Sequence, residues 1–336
     1  MMIKKLKEWI KNNPHCDIFS VAQDEWMGHF EKMACECENC KKIDDLHGSQ
    51  SASIIKFVNR LERDIKDEYP NVLLHTFAYQ YSRKPPKDLI PNENVIVRLT
   101  NIECSWSKSI EEGALENPNG RNAKFLEDLT GWSKIAKRLY IWDYAVNYRN
   151  YLLPFPCLRS MYKNIILYKK IGVKGVLMEG NFSFGGKGYL DELKAYLSSR
   201  LLTFDERSLE EIVKEFCDGY YGKASNKVQE YIYLFEDNIK GDMWLYDDAD
   251  HEMFTDELVE KAEEIIKDAL SLVEENDKEY KHVEELFLTY LYMYIVRLPL
   301  EDKSRDNLID VFFTKINEHG ITELFERTSL EFSKDV

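Results

Sequence analysis

Short apolar runs and longer amphipathic stretches alternate through the first two hundred residues of this chain. The runs are DIFSVAQ (17–23), VLLHTFAY (72–79), VIVRLTNIEC (95–104), LYIWDY (139–144) and VKGVLMEG (173–180). All are short and most are rich in β-branched or aromatic residues, the pattern of strands buried on both faces. Between the first two, SASIIKFVNRLERDIKDEY sets Ile54, Ile55, Val58, Leu61 and Ile65 on one helical face, with Ser51 or Ser53 as N-cap. NAKFLEDLTGWSKIAKRL and LRSMYKNIILYKKIG keep the same period, and Gly172 closes the second just ahead of a run. The proline-rich QYSRKPPKDLIPNEN joins the second run to the third. Strand and helix in repeated order predict a parallel sheet with helices packed on it.

Beyond about residue 204 the pattern changes. Leu209, Ile212, Val213, Phe216 and Tyr220 recur at helical spacing, as do Leu258, Ala262, Ile265, Ile266, Ala269 and Val273. No strand is expected there. The chain reads as α/β in two parts: residues 1–203, five strands of a (β/α) barrel of TIM type, then residues 204–336, an α-helical module.

Polar chemistry collects where the runs end. Asp24, Glu25 and Trp26 close the first, Tyr79 and Tyr81 the second, Glu103 and Trp106 the third. Trp142, Asp143 and Tyr144 close the fourth and Glu179 the fifth. A single acid after a strand more often caps the next helix than serves chemistry. In a (β/α)8 barrel, however, the active site forms at this edge from several strands, and five repeats favour that reading. Carboxyl groups ringed by Trp and Tyr suit glycosidic cleavage. One carboxyl protonates the leaving oxygen, a second group meets the oxocarbenium-like centre, and flat rings hold the sugar.

Composition narrows the partners. Lys and Arg number 45 against 60 Asp and Glu, a formal charge of −15 over 336 residues. Such a surface repels nucleic acid and anionic membranes, and no basic patch offsets it. MMIKKLKEWIKNN has no apolar core of a signal peptide, and LFLTYLYMYIV (286–296) is too short to span a bilayer, so a cytoplasmic location is expected. Seven cysteines, an odd number, fit reduced thiols. CECENC brings Cys35, Cys37 and Cys40 together with His29 and His47 close by, enough to draw a tetrahedral zinc site on paper. It lacks a second paired half, and the expectation is thiols that bind no metal needed for folding. GNFSFGGKG (180–188) misses the phosphate-loop spacing, and no cofactor is expected.

NVIVRLTNIEC (94–104), LYIWDYAVNYRNYLLPFP (139–156), GVKGVLMEG (172–180) and YYGKA (220–224) resemble, in order, the hallmark blocks of the domain of unknown function numbered 4838. The similarity runs from about residue 15 to 235. It implies a TIM-barrel domain like that of glycoside hydrolase family 163, related to the β-hexosaminidases and acting as an endo-β-N-acetylglucosaminidase on N-glycans. By the same resemblance Asp24 and Glu25 correspond to the Asp-Glu pair that ends the fourth strand of hexosaminidase-like enzymes. Glu25 would then be the general acid, and Asp24 would orient the substrate's own 2-acetamido group as nucleophile. Trp142, Asp143, Tyr144 and Glu179 would line the sugar pocket, with Tyr79 and Glu103 nearby. If the first run is strand four, strands one to three are missing, and five strands cannot close the barrel. The reading frame is then truncated or split, or a five-stranded remnant folds alone; relatives are usually longer and exported. The alternatives are a non-catalytic carbohydrate-binding or truncated remnant, and a zinc-stabilised interaction protein whose acids are surface.

Overall fold

The computed structural model describes residues 1–23, 34–181, 187–203 and 205–329. Helix α1 (Met2–Asn12) leads into β1 (Ile18–Ser20), followed by α2 (Glu38–His47), α3 (Ser51–Ile65), β2 (Leu73–Ala78) and β3 (Val95–Thr100). Then come α4 (Ile110–Glu116), α5 (Arg121–Ile135), β4 (Arg138–Tyr144), α6 (Leu158–Ile171) and β5 (Gly175–Glu179). All five predicted runs are strands. They form one sheet in the order β1-β2-β3-β4-β5, with β1 to β4 paired in parallel, curled as a half-barrel and followed by helices.

The chain divides into two compact units. The first comprises the described residues of 1–104, with 114–143 and 166–178. Parallel partners in register share a face, so Leu74, Thr76 and Ala78 align with Val95, Val97 and Leu99, and the last two with Leu139 and Ile141. This face is fully buried, with α3 packed against β2 and β3. The other face carries Ile18, Ser20, His75, Phe77, Arg98, Tyr140 and Trp142, and most of these are half-buried or exposed. The expected burial on both faces therefore fails: Ile18 is 43% exposed, Leu177 37%, and no residue of β5 is fully buried. Large amphipathic rings at alternate positions of β4, Tyr140 and Trp142, tolerate a wet face that an all-aliphatic strand would not. Gly175 permits this arrangement, since a Cβ there would stand 2.7 Å from the Tyr140 ring.

Local caps differ from expectation in one detail. Ser51 donates its hydroxyl to the Lys84 carbonyl (2.7 Å), and the Ser53 amide donates to the Asp44 carboxylate (2.8 Å). An acid at the end of α2 thus supplies the anion at the start of α3. Gly172 ends α6 as expected, at φ +89°.

The second unit comprises residues 105–113, 144–165 and the described residues from 179 onward. Its helices are α7 (Asp191–Leu202), α8 (Leu209–Tyr220), α9 (Ser225–Asp237), α10 (Asp256–Ser271), α11 (Lys278–Arg297) and α12 (Arg305–Glu318). Each packs on the next in sequence, burying Ile212, Val213, Ile232, Phe235, Ala262 and Ile266. Ser208 and Glu211 form a reciprocal capping box at the start of α8. Contrary to expectation, a strand pair follows: β6 (Glu323–Phe325) and β7 (Thr328–Ser329), antiparallel, with Arg327 at φ +60° in the turn. Strands of three and two residues are too short to show a period of two.

His75 carries a pH signature of the half-buried face. It is 3% exposed, its Nδ1 lies 2.8 Å from the Ser20 hydroxyl, and its Nε2 has no partner. Burial, and then the Arg98 charge, push its pKa down to about 4. The unfolded chain takes up a proton near pH 6.5 that the folded chain refuses until about pH 4. This stability is therefore full above about pH 6.5 and is lost as pH falls through the folded value, by about 3 kcal/mol. Urea melts of His75→Gln should show a flatter stability profile between pH 7 and 4.5; an unchanged slope would assign the sensitivity to other groups.

Candidate functional site

Asp24 and Glu25, the predicted catalytic pair, lie outside the described residues, as does Trp26. The other six predicted residues are described: four belong to the first unit and two to the second.

In the first unit, Trp142 and Asp143 are neighbours in β4 and so leave opposite faces. Trp142 lies on the open face, 5.5 Å from Phe77 between ring centroids, with the Arg98 guanidinium 5.6 Å over its ring. That distance permits a cation–π attraction. Arg98 meets no carboxylate among the described residues, and its buried Nε has no hydrogen-bond partner. Asp143 turns to the helix-covered face and is 1% exposed. Asn101 Nδ2 donates to one of its oxygens (2.6 Å), and the Tyr168 hydroxyl to the other (2.8 Å). Burial, and then the Asp143 charge, raise the Tyr168 pKa well above its ordinary value, so the phenol stays a donor. The carboxylate ties the ends of β3 and β4 to α6 and fixes the strand end that carries Trp142.

Glu103 and Tyr79 are also engaged. Glu103 accepts from Arg83 Nη1 (2.9 Å), while Arg83 Nε donates to Asp128 (2.8 Å) and the Trp132 indole donates to the Arg83 carbonyl (2.6 Å). The Tyr79 hydroxyl accepts from Gln80 (2.8 Å), and its amide donates to Ser82 Oγ (3.1 Å), which also receives Gln23 Nε2 (2.9 Å). Gln80 adopts φ +49°, a left-handed conformation that places strain at this strand end. Two surface grooves of this unit contain none of the predicted residues. One is lined by Glu62, Lys66, Pro70 and Asn94, the other by Lys84, Pro85, Leu126 and Ile135.

In the second unit Glu179 stands within a ring cluster. The Glu179 carbonyl accepts the Ala145 amide (2.9 Å), and burial, followed by the nearby Glu179 charge, raises the pKa of Tyr148. Tyr148 packs 6.2 Å from Tyr144 and 5.6 Å from Tyr246, and Trp244 lies 4.9 Å from Tyr246. The buried Trp106 indole donates to the Tyr144 carbonyl (2.9 Å). Trp244 is 37% exposed, so the cluster runs from a dry interior to solvent. A carboxylate beside a phenol and bordered by partly exposed rings can orient a polar ligand with apolar faces, as a sugar has.

Sequence reasoning missed Asn101, Tyr168, Arg98, Tyr148, Trp244 and Tyr246. The signal for the last two is MWLYDD (243–248), two rings and two acids inside a region of helical period. It also missed Asp191, in the first turn of α7 behind Leu190 at φ +58°. Burial pushes this carboxyl up to about 6, against the lowering influence of Lys194 and with a further raise from Glu192. Among the described residues the one group spaced to hold a metal ion is Cys35, Cys37 and Cys40, which shares no member with these acids. No helix among them is long and apolar enough to cross a membrane.

Tyr168→Phe removes a donor from the buried Asp143 carboxylate. Hydrogen bonds to charged groups contribute about 1.5–3 kcal/mol, and chemical denaturation of the variant should show a loss in that range. A loss under about 0.5 kcal/mol would mean that the Asp143 anchor bears little of the stability assigned to it.

The family model described as Domain of unknown function (DUF4838) matches residues 1–233, more than two thirds of the chain. No curated protein matches it.

Proposed function

The chain belongs to the DUF4838 family, and from that premise we propose that it is a hexosaminidase-type glycoside hydrolase acting on N-acetylglucosamine-containing glycans. In this reading the half-barrel belongs to a TIM-type catalytic domain, and further strands pair with the outer edges of β1 and β5. The observation that carries the proposal is the company Glu179 keeps: its charge acts on the Tyr148 phenol, which packs in the cluster of Tyr144, Tyr246 and Trp244. Trp142 on the open sheet face supports it, as does the resemblance of the ordered sequence blocks to DUF4838, which implies a domain like that of family 163 enzymes.

The proposed chemistry is substrate-assisted. Asp24 holds the acetamido nitrogen so that the acetamido oxygen attacks the anomeric carbon. Glu25 gives its proton to the leaving glycosidic oxygen as that bond breaks. Water then opens the cyclic intermediate, with the Glu25 carboxylate accepting its proton, and configuration is retained. In the first unit Trp142 would meet the sugar, with Tyr79 and Glu103 nearby, while Asp143 keeps the strand end in place; in the second, Glu179 and Tyr144 would contact it.

General acid catalysis contributes on the order of 10²–10⁴-fold, so Glu25→Gln should lose about that much turnover on an N-glycan. It should lose far less on an N-acetylglucosaminide with an activated leaving group, which needs no proton. Asp24→Asn should impair both substrates, and Trp142→Ala should weaken binding of either. Equal turnover by Glu25→Gln and the parent on the N-glycan would place the acid elsewhere. Saturable binding of N-acetylglucosamine oligomers without turnover in any variant would instead support the carbohydrate-binding remnant, and neither binding nor turnover would sink both readings.

A further inference from the structure

We propose that Cys35, Cys37 and Cys40 form a surface site for a thiophilic closed-shell metal ion, copper(I) or zinc(II), held by three thiolates. The three sulfurs lie within 4.8 Å of one another. Metal–sulfur bonds of about 2.3 Å would set them about 3.8 Å apart, so each pair needs to close by no more than about 1 Å, within reach of small side-chain rotations. Cys35 and Cys37 are exposed and Cys40 is half-buried. An ion can therefore reach all three without opening the fold.

The place of Cys37 is the second argument. It is the N-cap of α2, and its sulfur accepts the Cys40 amide at 3.5 Å. Ser, Thr, Asp and Asn cap helices better, so a thiol here gives up helix stability unless the sulfur serves otherwise. An N–H directed at a metal-bound sulfur supports the negative charge it keeps, as outer hydrogen bonds do around metal ligands. None of the α2 residues is fully buried, which leaves the first turn free to adjust around an ion.

The ligands among the described residues narrow the kind of ion. His47, close enough in sequence to complete a zinc site, is engaged elsewhere, its Nδ1 lying 2.6 Å from the Lys87 carbonyl. No His, Asp or Glu among the described residues joins the three sulfurs. Three thiolates suit soft copper(I), or zinc with one exchangeable position. Binding replaces three S–H protons, released to solvent, by one ion. The site sits on a surface helix and not in a core, so it is compatible with folding that needs no metal.

The test is an anaerobic titration of the reduced full chain with copper(I), and separately zinc(II), against a chromophoric chelator. Cobalt(II) would report thiolate ligation through its charge-transfer absorption. One equivalent of either ion should bind, with cobalt charge-transfer bands where zinc is the ion bound. Cys37→Ser and Cys40→Ser should each weaken binding at least tenfold, with unchanged far-ultraviolet circular dichroism, and Cys16→Ser should leave it unchanged. The proposal is overturned if neither ion competes with the chelator, or if binding survives in the triple serine variant. It is also overturned if the reduced chain binds no ion and Cys37 and Cys40 only oxidise to a disulfide.

Discussion

In a parallel sheet the residue in register one strand over points the same way, and that rule divides the chemistry of the first unit. Leu74, Thr76, Ala78, Val95, Val97, Leu99, Leu139 and Ile141 are committed to the helix-covered face, and no polar ligand can reach them. On β1 to β4, groups with chemistry to offer a solvent-borne ligand stand on alternate positions, among them Ser20, His75, Phe77, Arg98, Tyr140 and Trp142. Asp143 falls on the buried side of this division, so its charge is stabilised by Asn101 and Tyr168 and its effect on a ligand passes through the strand it anchors.

The two units meet the problem of a carboxylate near aromatic rings differently. Around Asp143 the solution is full burial with dedicated donors, which makes for rigidity and little else. Glu179 stands beside a phenol in a cluster that extends to the partly exposed Trp244. A carboxylate of the second kind keeps access to a ligand, which is why the functional reading leans on Glu179 more heavily than on Asp143.

Much of the fold was legible because its signals are local. Five apolar runs became five strands in order, Gly172 ended its helix, and the helical period from residue 209 onward became α8 to α12. The hairpin of β6 and β7 was not legible, because five residues give no periodicity to count. The site was legible in residue type and not in direction. Trp142 and Asp143 read as one patch in sequence, although strand geometry alone sends them to opposite faces. Arg98 was hidden in the middle of an apolar run, and Tyr148, Trp244 and Tyr246 meet only after the chain has travelled about a hundred residues. Contacts of that range leave no trace in spacing. They come from packing.

Arg98 also inverts the electrostatics of the molecule locally. The chain as a whole carries a formal charge of −15, yet the open sheet face presents a guanidinium with no carboxylate partner among the described residues, beside a neutral His75. A negatively charged ligand would be repelled at long range and attracted at contact. Salt screens the first effect within about 8–10 Å and reaches the half-buried second one far less. Added salt would therefore speed the arrival of an acidic ligand at this face while barely shortening its stay, the reverse of a surface steered by opposite charge.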